Sequence, residues 1–348
     1  MEKLAIVILN FNGQAFLERF LPSVIKHTPG EFSIWVADNG STDGSLPLVR
    51  ARFPGVRILE LPTNEGYAGG YNSALAQIRA EYYVLLNSDV EVSPGWIEPV
   101  LNLLETNPAI AACQPKIRAF DQRDAFEYAG AAGGYLDWLG FAFCRGRLFD
   151  TTETDRGQYD TDQPVFWASG ACLFVRASVF RQTGGFDASF FAHHEEIDWC
   201  WRVQRLGYEV WTCGRSVVYH VGGGTLPASN PHKTYLNYRN SLWMLYKNLP
   251  AGRLWSTLIL RLIVDGLSSV RFLRAGQFGD IGAILRAHGA FYGRIGQLRA
   301  VRRALLAQDT ANGERLMYPQ SIVWEYFVQG KKRFSELRWV PPKGPTRL

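Results

Sequence analysis

The sequence predicts an α/β protein: a nucleotide-binding type of mostly parallel sheet flanked by helices, followed by a helical C-terminal appendage. Three observations predict it. Short apolar, β-branched runs alternate with helix-period segments at roughly 25-residue intervals, the signature of a parallel sheet. Polar or glycine-rich turns follow several of those runs, where open α/β sheets bind ligands. Beyond residue 250 the pattern becomes long, amphipathic and rich in arginine.

Taken in order, Leu4–Leu9 is apolar and reads as a first buried strand. Gln14–His27 places Phe16, Leu17, Phe20, Leu21, Val24 and Ile25 at helical spacing, with Pro22 as a potential kink. Ser33–Ala37 is a second strand, and the turn Asp38-Asn39-Gly40-Ser41-Thr42-Asp43-Gly44 follows it. A short helix over Leu46–Phe53 leads to a third strand, Val56–Leu61, closed by Pro62. Tyr67–Arg79 is helical, with Tyr71, Ala74, Leu75 and Ile78 on one side. Tyr82–Leu86 reads as a central strand that turns polar at Asn87-Ser88-Asp89. Pro94–Glu105 is a further helix, and Ala109–Cys113 begins a fifth strand. Residues 118–164 show no period, as expected of a binding loop or lid. Order returns with strands at Ala171–Val175, Tyr208–Thr212 and Ser216–His220 and a helix over Glu195–Leu206. A glycine-rich turn, Val221-Gly222-Gly223-Gly224, ends this part.

At 348 residues and 47% hydrophobic, the chain can bury a large core. No apolar run approaches the roughly 20 residues of a spanning helix. Met1-Glu2-Lys3 leads straight into the first strand without a signal-peptide cleavage pattern. The five cysteines are scattered, without metal or redox spacing, and are expected as small core residues in a reducing cytoplasm.

Several polar groups can carry chemistry. Asp38, after the second strand, can accept the ring N–H of a uracil or thymine; its alternative role is bonding its own turn. The segment from Asn64 through Gly66, Gly69 and Gly70 to Asn72 starts a helix and lets backbone approach a ligand, yet it is neither a dinucleotide fingerprint nor a Walker loop. Asp89 can hold a divalent cation against a diphosphate, or Asn87-Ser88-Asp89 is simply a turn. Glu195, Glu196 and Asp198 open one helix, more acid than capping alone requires, and adjacent carboxylates repel, raising one pKa toward that of a useful base. His220 ends a strand beside glycines and is a candidate second cation ligand.

These residues, with the run Ile6–Gly13, Gly170–Arg176, Gly185-Phe186-Asp187 and Tyr219-His220, resemble glycosyltransferase family 2 in its bacterial rhamnosyltransferase-like branch. The resemblance covers about residues 4–245. It implies a GT-A fold, with a nucleotide-sugar half over 1–117 and an acceptor half over 118–245, and an inverting transfer. The donor would be a UDP- or dTDP-sugar and the acceptor a saccharide or lipid-linked glycan. The donor site would draw on Asn10, Asn12, Asp38, Asn39, Asn64, Gly69, Gly70, Asn72, Asn87 and Ser88. Mg²⁺ or Mn²⁺ would sit on Asp89 and His220, with Glu196, or Glu195 as its rival, the general base. The chain departs from the family pattern at Asn87, where the first acid of the metal motif is an amide, and at Glu196, where Asp is commoner.

Region 246–330 is a basic helical appendage. From Leu254 to Gly276, Trp255, Ile259, Leu262, Ile263, Leu267, Val270 and Leu273 form an apolar stripe, with Arg261, Asp265, Ser268 and Arg271 elsewhere on the helix. Residues 251–303 carry nine Arg against two Asp. Either the helix lies on an anionic membrane surface or it packs on the catalytic domain. No helix-turn-helix, zinc or RNA-binding signature supports nucleic acid as a partner. The expected location is the cytoplasm, peripheral to the inner membrane face, and 331–348 is expected to be a loose tail. Two other readings are a nucleotidyltransferase, which would need a basic triphosphate loop that Phe11-Asn12-Gly13 lacks, and a non-catalytic sugar-nucleotide binder.

Overall fold

The computed structural model describes residues 1–222, 230–310 and 313–342. Strands β1 (Glu2–Asn10), β2 (Ser33–Asn39), β3 (Arg57–Leu61) and β4 (Ala80–Asn87) alternate with helices α1 (Gln14–His27), α2 (Ser45–Arg52) and α3 (Gly66–Gln77). A short β5 (Val90–Val92) and α4 (Glu98–Thr106) lead into β6 (Ile110–Ala119). The segment expected to be aperiodic instead holds β7 (Gly134–Leu136), β8 (Ala142–Cys144), β9 (Arg147–Leu148) and β10 (Thr151–Thr152), an antiparallel sheet of its own. Strands of two or three residues are too short to show a period, which is why the sequence hid them.

β11 (Gln163–Pro164) returns to the main sheet, followed by β12 (Cys172–Arg176), α5 (Ala177–Gln182), α6 (Glu195–Arg205) and β13 (Glu209–His220). The two strands expected over 208–220 are this one strand. It pairs with β6 on both sides of a bulge between Cys213 and Val217, where Gly214 lets the chain at Asp160 approach. The chain ends in α7 (Pro231–Asn248), α8 (Ala251–Arg274), α9 (Phe278–Leu306) and α10 (Ile322–Phe327).

The main sheet runs β11-β13-β6-β12-β4-β1-β2-β3. β1, β2, β3 and β4 are parallel, β13 is parallel to β6, and β12 lies antiparallel between β4 and β6. Alternate residues of each central strand feed opposite layers. Leu4, Ile6 and Ile8 of β1, with Val84 and Leu86 of β4, pack with Leu17, Leu21 and Val24 of α1 and with α4. Ala5 and Val7, with Tyr83 and Leu85, pack with α3, α5 and α6. With both faces covered, the parallel strands read as continuous apolar runs. All five cysteines are buried and free.

Of the expected loose tail, residues 331–342 are described, and they pack on the small sheet. Phe334 and Leu337 are buried, and Tyr135 of β7 meets Phe334 at 5.7 Å and Trp339 at 5.0 Å between ring centroids. The rings of 334–339 complete the core of the small sheet.

α8 is built inside out. Its inward face carries Leu254 and Leu258 but also Arg261 and Asp265, 3% and 1% exposed, with the Arg261 guanidinium 3.8 Å from the Phe141 ring centroid. Every residue of the apolar stripe from Trp255 to Leu273 faces outward, 42–65% exposed. α8 therefore does pack on the catalytic domain, but through the face opposite the stripe: Arg253 and Arg261 donate to the Trp138 and Leu139 carbonyls at 2.9 and 3.3 Å. Among the described residues no helix is long and apolar enough to cross a membrane.

Candidate active site

The parallel strands deliver their polar ends to one edge of the sheet, and a cavity of about 500 Å³ opens there. It is lined by Asn12, Asn39, Asn64, Asn87, Ser88, Asp89 and His220 from the strand ends and their loops, and by Glu195 and Glu196 from the start of α6. Five other expected residues stand behind this lining. Asn10 and Asp38 are neighbours in register, and the Asn10 amide donates to Asp38 Oδ1 at 3.1 Å. The other Asp38 oxygen accepts from the Ser41 amide at 2.9 Å, so the turn uses this carboxylate, which is 2% exposed. Asn72 clamps Phe186 through its backbone N–H and carbonyl, at 3.0 and 2.8 Å. Gly69 and Gly70 are packing positions, where a Cβ would meet Glu65 and Asn39 at 2.9 Å.

The start of α3, where the glycines were expected to let backbone approach a ligand, is already capped. The Phe191 carbonyl accepts from the amides of Tyr67 and Ala68 at 2.7 and 3.2 Å. Gly66 makes this approach possible: its φ is +72°, and a Cβ there would lie 2.5 Å from the Phe191 ring. Asn39 fixes the same loop by donating to Asn64 Oδ1 and to the Gly66 carbonyl, both at 3.0 Å.

Asp89 and His220 meet across the β4 and β13 ends. His220 Nε2 lies 3.1 Å from Asp89 Oδ1 and 3.4 Å from the Asn87 amide nitrogen. His220 Nδ1 lies 3.3 Å from Glu127 Oε2, within ion-pair range but outside hydrogen-bond geometry. Burial alone would lower the His220 pKa; the Glu127 and Asp89 carboxylates outweigh it and raise the pKa to about 10. An imidazolium is not a ligand, so a cation bound at Nε2 must displace that proton. The donor set fits such a cation: Asp89 offers a carboxylate, and the Glu127 charge beside Nδ1 favours keeping the remaining ring proton there. Among the described residues no cluster of three His, Cys, Asp or Glu is arranged to hold a metal alone. A cation here would complete its shell with phosphate oxygens, as Mg²⁺ commonly does. Of the glycine-rich turn after His220, Gly223 and Gly224 lie outside the described residues.

In the same cavity, Glu195 and Glu196 begin α6, and each has one buried carboxylate oxygen without a partner. Burial, reinforced by the charge of Glu196, holds the Glu195 carboxyl well above the ordinary range. Burial pushes Glu196 up to about 7. The two adjacent carboxyls titrate as one raised pair, in which one group stays protonated near neutrality and the other can take a proton. The third acid has another task. Asp198, fully buried, accepts from Arg202 at 2.9 Å, Lys247 at 3.0 Å and Asn248 at 2.8 Å, tying α6 to α7.

The loop entering α6 holds three non-glycine residues at positive φ: Phe191 at 66°, His193 at 70° and His194 at 71°. Such conformations cost on the order of 1–3 kcal/mol each and persist only where surrounding structure imposes them. Here α7 imposes them. The buried Asn240 amide lies 3.0, 2.8 and 2.7 Å from the carbonyls of Phe190, Ala192 and His193, and Arg239 donates to the Phe190 carbonyl at 2.9 Å. Glu127 and Asn240 were not legible as site residues: Glu127 lies in the aperiodic stretch and Asn240 in a helix without a motif. The adjacent pair His193-His194, directly before the acids, was the available signal for the loop.

The fold and this site define a GT-A glycosyltransferase, which transfers a sugar from a nucleotide sugar. Residues 5–184 match the family model of glycosyl transferase family 2, and the chain belongs to that family. It is 32% identical over 267 residues to N-acetylglucosaminyl-diphospho-decaprenol L-rhamnosyltransferase of Mycobacterium tuberculosis, covering 69% of this chain and 86% of that one. It is also 23% identical over 246 residues to the low-salt glycan biosynthesis hexosyltransferase Agl10 of Haloferax volcanii, 69% of this chain and 74% of that one. Among solved structures, S. aureus TarS 1–349 in complex with UDP-GlcNAc superposes with a TM-score of 0.57 at 15% identity, covering 94% and 92% of the two chains. GalNAc-T7 with UDP, GalNAc and Mn²⁺ gives 0.56 at 17% identity, covering 71% of this chain and 48% of that one.

Proposed function

We propose that the protein is an inverting, metal-dependent glycosyltransferase that moves a hexose-type sugar, rhamnose first among the candidates, onto a hydroxyl of a lipid-linked or polysaccharide acceptor. The observation that carries this reading is one cavity lined by Asp89, His220 and an ionisable Glu196 together. The M. tuberculosis relative supports the lipid-linked acceptor and the rhamnosyl donor, and the Mn²⁺ named with GalNAc-T7 supports a divalent ion. The wall of Asn12, Asn39, Asn64, Asn87 and Ser88 would orient a UDP- or dTDP-sugar. Asn10, Asp38, Gly69, Gly70 and Asn72 would support that wall from behind.

In the reaction, Glu196 takes the proton of the acceptor hydroxyl. The freed oxygen pair attacks the anomeric carbon, and the carbon–oxygen bond to the diphosphate breaks with its electrons on the leaving group. Such base catalysis contributes about 10²–10⁴-fold. Asp89 and His220 would hold a cation that offsets the charge gathering on the diphosphate. One base opposite the leaving group gives single displacement and inversion. Neutral Glu195 can donate a hydrogen bond beside the reacting hydroxyl. A lipid-linked acceptor supports a location in the cytoplasm against the inner membrane face. The test screens UDP- and dTDP-sugars for metal-dependent thermal stabilisation, then assays transfer by wild type and Glu196→Gln. Expected is retained donor binding with transfer lost in the variant; wild-type transfer rates in Glu196→Gln would overturn the assignment of the base.

A further inference from the structure

We propose that the outward face of α8, continued by Phe278 at the start of α9, is a bilayer-docking surface that brings the cavity to the plane of lipid headgroups. The partner is rooted in the proposed lipid-linked acceptor, but the surface stands on its own geometry. A helix of a water-soluble domain turns its apolar stripe inward; α8 does the reverse. Its buried side spends Arg261 and Asp265 on internal contacts, while Trp255, Ile259, Ile263 and Leu267 are 57–65% exposed. Phe278, which follows α8 at the head of α9, is 68% exposed. A stripe of seven exposed apolar residues along one helix marks an interaction surface.

Charge selects the occupant. Arg271, Arg274, Arg286, Arg299 and Arg303 are exposed on α8 and α9. An apolar stripe carrying a Trp and flanked by arginines matches the interface of an anionic bilayer, where rings and aliphatic chains enter the acyl boundary and guanidinium groups meet phosphates.

Connectivity places the surface beside the site. Lys233 lines the cavity near the start of α7, and the next residue, Thr234, bonds Asp280 at the start of α9 at 2.5 Å. Pro231 at the head of α7 lies against Gly279. Phe278 and the end of the α8 stripe therefore stand next to the helix end that borders the cavity. A headgroup-bearing acceptor anchored in the bilayer would reach the base without leaving the membrane.

The experiment is co-sedimentation of the full chain with phosphatidylcholine vesicles, with and without one-third phosphatidylglycerol, at low and high salt. It is repeated on Ile263→Glu/Leu267→Glu, two exposed positions outside core and cavity. Expected is binding that needs the anionic lipid, weakens with salt, and partitions at least about tenfold less in the double variant, whose melting temperature and UDP–Mn²⁺ stabilisation match wild type. Wild type left in the supernatant, or equal partitioning of the variant, would overturn the proposal. So would a dimer in size-exclusion chromatography with light scattering that the same substitutions dissociate, since a second copy would then cover the face. Vesicle binding by a protein that fails to transfer any sugar would count against the proposed function and leave this surface standing.

Discussion

At the scale of single residues, the site rests on how burial divides two adjacent carboxyls. Glu195→Gln keeps the shape and donor capacity of a neutral carboxyl, so its transfer rate should fall less than about tenfold, whereas Glu196→Gln should lose 10²–10⁴-fold. With Glu196 raised to about 7, kcat should rise with pH through neutrality and fall below it as the base becomes protonated; a pH–rate profile checks this. Asn240 acts at one remove, holding three carbonyls of the loop that carries the base. Asn240→Asp keeps the size but replaces the amide donors with carboxylate oxygens. It should lower kcat by about 10–100-fold with little change in donor KM and speed amide exchange over residues 189–196. Unchanged exchange there would remove the clamp. The motif acids were legible because charge at a strand end or helix start is conspicuous. Glu127 was not, because it reaches His220 only through the folding of a segment without a period.

At the scale of elements, the helices and central strands were legible from spacing, and the errors have physical causes. A bulge at Gly214 interrupts the apolar alternation of β13 and imitates a turn. The period of α8 was read well but its direction was not, because amphipathicity defines two faces without saying which one meets the protein. Nor could the sequence say that Asp198 belongs to the α6–α7 joint rather than to the chemistry. Both Arg202 and Lys247 aim buried charge at it. Asp198→Ala should therefore destabilise the fold by about 3–5 kcal/mol, since removing one member of a buried ion cluster strands the others; denaturant unfolding measures it.

At the scale of the whole molecule, the small sheet of β7–β10 depends on the far end of the chain. Ile322 N–H donates to Asp137 Oδ2 at 2.9 Å, Phe334 N–H donates to Glu153 Oε1 at 2.9 Å, and Phe334 and Trp339 cover Tyr135. Truncation after residue 330 should cost about 3–6 kcal/mol from Phe334 and Leu337 alone, read as a lower melting temperature, where a loose tail would cost nothing. The antiparallel entry of β12 has a wider consequence. The chain leaves the ligand edge at Ala119 and regains that edge at Gly170, so the intervening excursion has both feet on the cavity rim. It meets the cavity itself only at Ala129 and Ser169 and touches His220 through Glu127, so its remaining length can vary without shifting the register of β1–β4. The C-terminal rings that seal the excursion pack on it directly, so two segments remote in sequence should change together when the excursion is rebuilt.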